Sequence, residues 1–287
     1  MRIAVNGVRL YFDVHGAGLE PDGAAMREKP TLILLHGGPG MDHSGYKPAF
    51  YRLAEVAQLV FLDHRGNGRS DDGPIERHTL AQWGDDLAAF CDALEIEAPV
   101  VYGLSFGGFV AQSFATRHPD RLSRLILAST AARTVYARKY RAFERLGGPE
   151  ARDASMRFWG GGIAEPGTIE DWERHCRPYY NTTPQDSEAD ARILRKRETM
   201  RHFFRADGER ERMNFLDDLA KVKVPTLLIA GDRDPVTPLE DMEELRDHLP
   251  SNLVHYEVIP NAGHGPHRDN PERTFALMRA FIAEAAG

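Results

Sequence analysis

The chain is 287 residues long, and its pattern predicts an α/β fold: a mostly parallel central sheet with helices on both faces, plus a mainly helical cap insertion. Two observations carry the prediction. Short apolar runs rich in β-branched residues recur along the chain and alternate with stretches of helical spacing. One connection, residues 131–220, breaks that alternation and is too long for a plain loop.

Taken in order, the buried strand candidates are TLILLHG (31–37), LVFLDHRG (59–66), PVVYGLS (99–105), LSRLILAST (122–130) and PTLLIAGD (225–232). A last strand is expected over 253–259. Runs apolar on both faces are typical of a parallel sheet covered by helices. The covering helices are expected at 79–95, 106–117, 238–249 and 271–285. Near the start, Asn6-Gly7 between short apolar stretches reads as a hairpin turn. Residues 1–130 and 221–287 are therefore assigned to a core domain and 131–220 to the cap. The cap carries 17 Lys and Arg against 16 Asp and Glu, whereas the remainder carries 19 against 27. Its helical pattern breaks at GGPE, WGGGIAEPG and NTTPQ.

Composition narrows the function class. The net charge is −7 with scattered Lys and Arg, which argues against the basic stripe of a nucleic-acid binder. No apolar run approaches the ~18 residues of a membrane span, and the first ten residues lack the apolar core of a signal peptide, so a cytoplasmic protein is expected. Cys91 and Cys176 have no metal-ligand spacing and are expected as free thiols. No metal or phosphate-loop motif is present, so neither metal nor cofactor is expected.

In an open parallel sheet, functional groups collect where loops leave the carboxyl ends of the strands. Ser105 stands there in Gly103-Leu-Ser-Phe-Gly107, a G-x-S-x-G between an apolar strand and a helical segment. Small neighbours in that pattern permit a sharp turn that exposes the hydroxyl. A serine hydroxyl is a weak nucleophile and needs a base, and the base needs an orienting group. His264 in NAGHGPH is the favoured base, with His267 as its rival. Asp234 is favoured over Asp232 in GDRDPVTP because it lies beyond the strand end. The glycines of HGGPG (36–40) let backbone N–H groups approach a substrate, and Gly38 N–H with Phe106 N–H is the expected oxyanion-binding pair.

With these pieces assembled, the sequence resembles the α/β-hydrolases, and among them the proline iminopeptidase group most. The matching stretches are HGGPG, LDHRGNGRS (62–70), GLSFGG (103–108), KVPTLLIAGDRDPVTP (223–238) and NAGH (261–264). They span the core but not the cap. The resemblance implies the same fold and a Ser105, Asp234, His264 triad, with Asp63 and Arg65 pinning a loop. It departs where such peptidases often have Gln (here His64), Trp after the serine (here Phe106), and in some members Glu after the triad aspartate (here Pro235).

In those peptidases acidic groups hold the substrate's amino terminus, a role for which Glu173 and Glu198 are the cap candidates. Phe158, Trp159, Trp172, Tyr179, Tyr180, Phe203 and Phe204 are candidates to line the pocket or to form the cap's own small core. The expected function is hydrolysis of an ester, lactone or amide of a small to medium substrate through a Ser105 acyl-enzyme. Release of N-terminal proline from a short peptide is the alternative, and a non-enzymatic ligand receptor on the same fold is the third reading. The expected partner is thus a small molecule or short peptide. Oligomeric state is left open.

Overall fold

The computed structural model describes residues 1–160, 163 and 165–284. Gly161, Gly162 and Ala164 of the expected WGGGIAEPG break, and residue 285 of the last expected helix, lie outside them. The chain opens with β1 (Arg2–Val5) and β2 (Val8–His15), joined at Asn6-Gly7, both with positive φ as a two-residue hairpin turn requires. A separate ribbon, β3 (Leu19–Asp22) and β4 (Ala25–Glu28), follows. Mostly exposed and without an apolar run, it carries no pattern that marks it in the sequence.

The buried framework is β5 (Thr31–Leu35), β6 (Gln58–Leu62), α1 (Leu80–Ala93), β7 (Val100–Leu104), α2 (Phe106–Arg117) and β8 (Arg124–Ala128). It resumes with β9 (Thr226–Gly231), α8 (Leu239–His248), β10 (Val254–Ile259), α9 (Pro266–Asp269) and α10 (Pro271–Ala283). Between β8 and β9 come α3 (Tyr136–Trp159), α4 (Thr168–His175), α5 (Ser187–Arg192), α6 (Arg197–Phe204) and α7 (Glu209–Arg212). The sheet order is β1-β2-β6-β5-β7-β8-β9-β10, antiparallel around β2 and parallel from β6 to β10.

Alternation along the strands divides the core into two layers. Ile33 and Leu35 of β5 face α1, α2 and α8, whereas Leu32 and Leu34 face the 3-10 segment at Ala49–Glu55 and α10. Thr79 caps α1 by accepting from Gln82 N–H at 3.1 Å, and Asn270 with Pro271 starts α10, the usual chemistry of a helix N-terminus. The strand expected over 59–66 ends at Leu62, and that over 122–130 spans only Arg124–Ala128, because the following polar residues turn away to build the site.

The segment between β8 and β9 forms an apolar cluster that also takes in Val236 of the loop after β9, and in it Phe158 stacks on Trp172 at 4.9 Å. Its longest helix, α3, kinks at Gly148, whose φ of 74° precedes Pro149. This segment also seats into the main core: Phe203 of α6 packs edge-on against Phe106 at 5.2 Å.

Candidate active site

Ser105 sits at the junction of β7 and α2 with φ 54° and ψ −117°, a conformation a non-glycine residue holds at a cost of about 1–3 kcal/mol. The neighbouring glycines make that turn possible. A Cβ on Gly103 would run into the Gly107 carbonyl, and one on Gly107 into the Leu35 carbonyl. Thr130 Oγ1 donates to the Ser105 carbonyl at 2.8 Å and holds the turn from β8.

Asp234 and His264 come from the loops after β9 and β10. His264 Nδ1–H donates to Asp234 Oδ2 at 2.9 Å. The carboxylate also accepts Val236 N–H at 2.7 Å, Thr237 N–H at 3.0 Å and Thr237 Oγ1–H at 2.7 Å. Burial opposes its charge, but the His264 ring and the Thr237 donors outweigh burial and hold the carboxyl below its ordinary value. An ionised Asp234 fixes the imidazole with Nδ1 protonated, which leaves Nε2 free to accept a proton. Ser105, Asp234 and His264 all follow the carboxyl ends of parallel strands, on one edge of the sheet, and Thr237, which bonds Asp234, lines one pocket with Ser105.

The alternatives named from sequence are placed elsewhere. His267 is buried beneath the loop, 5.1 Å from the Phe50 ring and 6.0 Å from Tyr46, and burial pushes its imidazole down to about 3. Asp232 is exposed and accepts Ala262 N–H at 3.2 Å, a loop-shaping contact.

Opposite the serine, Gly37 packs so closely that a Cβ there would lie 3.4 Å from the Ser105 Cβ. Gly38 has φ 72°, and Asn67 Oδ1 accepts Gly40 N–H at 2.6 Å, anchoring this loop. Among the described residues, neither Gly38 N–H nor Phe106 N–H donates to a protein acceptor. His64, where similar proteins often have Gln, is buried with its ring 5.5 Å from Phe106 and supports the elbow from below.

The LDHRGNGRS stretch is a buried polar knot. Asp63 accepts His43 Nδ1–H at 2.6 Å, His43 N–H at 3.0 Å and Arg69 N–H at 2.8 Å. Arg65 makes a two-pronged pair with Asp86 at 2.7 and 2.8 Å.

Of the cap residues named from sequence, Trp159, Phe203 and Phe204 line the pocket, while Phe158 and Trp172 belong to the cap's apolar cluster. Glu173 is not brought to the pocket: it is exposed and pairs with Arg177 at 2.9 Å, one helical turn on. Glu198 is also exposed. Both fall on the solvent face because Trp172 and Thr199, their neighbours in sequence, take the buried one.

Sequence reasoning missed the loop-holding role of Tyr180, and it passed over Asn181, Thr237, Lys139 and Arg210. The first two steady the His264 loop from the cap: Tyr180 O accepts His264 N–H at 2.6 Å and Asn181 Oδ1 accepts Gly265 N–H at 2.9 Å. Only Thr237, three residues after Asp234, carried a usable signal. Among the described residues, no cluster of His, Cys, Asp or Glu is placed to hold a metal ion, and no helix is long and apolar enough to cross a membrane.

Sheet order, elbow and Asp–His pair define the class as an α/β-hydrolase. The chain belongs to the family described as serine aminopeptidase, S33, whose pattern it matches over residues 27–271. It is 28% identical over 258 residues to 3-oxoadipate enol-lactonase 1 of Acinetobacter baylyi, covering 89% of this chain and 90% of that one. It is 26% identical over 279 residues to the proline iminopeptidase of Lactobacillus helveticus, with 89% and 90% covered. The structure of the Mycobacterium smegmatis proline iminopeptidase superposes with a TM-score of 0.78 at 25% identity, covering all of this chain and 98% of that one. These relatives are hydrolases, and so is this protein.

Proposed function

We propose that the protein cleaves an ester, lactone or amide bond of a small to medium substrate through a Ser105 acyl-enzyme. Ser105 Oγ attacks the carbonyl carbon while His264 Nε2 takes its proton. Gly38 N–H and Phe106 N–H stabilise the oxyanion. As the intermediate collapses, His264 returns the proton to the leaving group; it then takes one from the water that releases the acid. Asp234 holds the ring's tautomer and balances the imidazolium. The hydrogen bond between His264 Nδ1 and Asp234 Oδ2, behind a strained serine, carries this reading. Two buried, unpaired thiols suit a reducing, cytoplasmic setting.

Between ester or lactone and peptide, placement of the cap carboxylates favours the former. Neither Glu173 nor Glu198 reaches the pocket, and Asp241, which does, is paired with Arg138 at 2.8 Å. Release of N-terminal proline is the second reading, favoured by the similarity to proline iminopeptidases. Steady-state hydrolysis of a proline aryl amide and a short acyl aryl ester, by the protein and by Ser105→Ala, separates them. The ester should turn over faster, with activity lost in the variant. Faster amide cleavage that disappears when the amino group is blocked would establish the peptidase instead.

A further inference from the structure

The pocket beside Ser105 contains two buried basic side chains that the mechanism leaves unused. Arg210 of α7 is 5% exposed, and its guanidinium makes no ion pair among the described residues. It lies 4.8 Å from the ring of Tyr136, 5.1 Å from Phe204 and 5.8 Å from Trp159, boxed by π faces. Its Nη1 is buried without any hydrogen-bond partner. Lys139 of α3 is 6% exposed, 5.1 Å from the Trp159 ring, and bonds only the Val236 carbonyl. Both line the space that Ser105 and Phe106 also line.

The carboxylates nearby are committed elsewhere. Glu244 holds Arg133 at 2.6 Å and Arg138 at 3.1 Å; Asp241 holds Arg138 and also faces Lys139, leaving Arg210 as the basic group of the pocket without a carboxylate partner among the described residues. Glu211, next in sequence to Arg210, bonds the Tyr136 hydroxyl instead.

A guanidinium taken out of water with an unpaired N–H is unfavourable unless an anion meets it, and a planar fork suits a carboxylate better than a point charge would. We propose that this pocket binds substrates carrying a carboxylate, with Arg210 as the principal anchor and Lys139 as a second N–H donor. The proposal rests on the hydrolase reading of Ser105 and narrows it: the ester or lactone cleaved bears an acid on the part that enters under the cap. The Arg210 guanidinium repels the free ammonium of a peptide's amino terminus. Cation–π contacts with Tyr136, Trp159 and Phe204 keep the unliganded arginine in place.

The test uses p-nitrophenyl half-esters of succinic, glutaric and adipic acid, each beside its methyl-capped neutral counterpart, with the wild-type protein, Arg210→Met and Arg210→Lys. Wild type should prefer one acid over its capped counterpart in kcat/KM. Arg210→Met should lower that ratio by about 30-fold or more, and Arg210→Lys should restore part of it. Because the readout is a ratio within one protein, partial misfolding does not imitate the effect. In parallel, glutarate and adipate should raise the melting temperature of the Ser105→Ala protein but not of Ser105→Ala/Arg210→Met.

Ester turnover without preference for the acids, together with no dicarboxylate shift, overturns the proposal and leaves the hydrolase reading intact. Absence of Ser105-dependent turnover alongside an Arg210-dependent shift retains the anion site and discards the reaction.

Discussion

His264 receives its backbone position from Tyr180: its N–H donates to the Tyr180 carbonyl at 2.6 Å, and the two rings meet edge to face at 5.4 Å. Asn181 and Thr182 extend the strap to Gly265 N–H and the Asn261 carbonyl. The proposed base is thus held by the same inserted segment whose Trp159, Phe203 and Arg210 line the pocket.

That contact makes Asn181→Ala informative. The substitution removes the acceptor for Gly265 N–H, a loss of about 1 kcal/mol in orientation. We expect kcat on a neutral ester to fall roughly threefold to tenfold while thermal stability changes little. An unchanged kcat would mean that the strap only packs.

Asp234→Asn keeps the size of the side chain but removes the charge that opposes the imidazolium. By analogy with measured Ser-His-Asp sites, kcat should drop by about 10⁴-fold. Thr237→Val, which removes one of the four donors on that carboxylate, should cost about 1 kcal/mol of stability and a smaller part of kcat. Equal effects of the two substitutions on kcat would contradict the roles assigned here.

The strain at Ser105 predicts a trade between stability and activity. At φ 54°, glycine relieves a conformation that alanine retains, so Ser105→Gly should melt above Ser105→Ala by the equivalent of about 1 kcal/mol, after the glycine's larger unfolded-state entropy is counted. Both should lack turnover. Calorimetry of the pair decides it, and identical melting temperatures would show the elbow to be unstrained.

Lys139 predicts a pH dependence of stability. Burial pushes its ammonium from 10.5 down to about 7, so between those values the unfolded chain binds the proton that the folded one has released. The sign follows: folding stability attributable to this group rises with pH across that window, at about 1.4 kcal/mol per unit. Lys139→Met should therefore stabilise the protein most below pH 7, and its advantage over wild type should shrink by roughly 2 kcal/mol or more by pH 9. Denaturant titrations of both proteins at pH 6.5 and 9 measure the difference. An advantage independent of pH would place the ammonium in contact with water or an anion.

The framework was legible in the sequence because its signals are local. Runs such as Leu32–Leu35 and Leu227–Ala230 are apolar on both faces, which only a strand covered from two sides tolerates, and the order of strand ends follows from their spacing. Gly103 and Gly107 around Ser105 announce the elbow because no side chain fits where neighbouring carbonyls pass. The β3–β4 ribbon, almost wholly exposed, left no such trace.

What tertiary structure alone decided is which polar groups face which. His264 and His267 sit three residues apart on one loop, the flanking glycines favouring the first, and the structure shows one meeting Asp234 and the other Phe50. In the cap, Glu173 and Arg210 both lie in charged stretches of short helices. The residue that a sequence reading offers as a ligand points to solvent, and the one it passes over is buried beside Ser105. Short helices with weak periodicity do not declare their inner face, because that face is chosen by the surface against which the whole insertion packs, here the Phe106 and Phe109 ridge of the core.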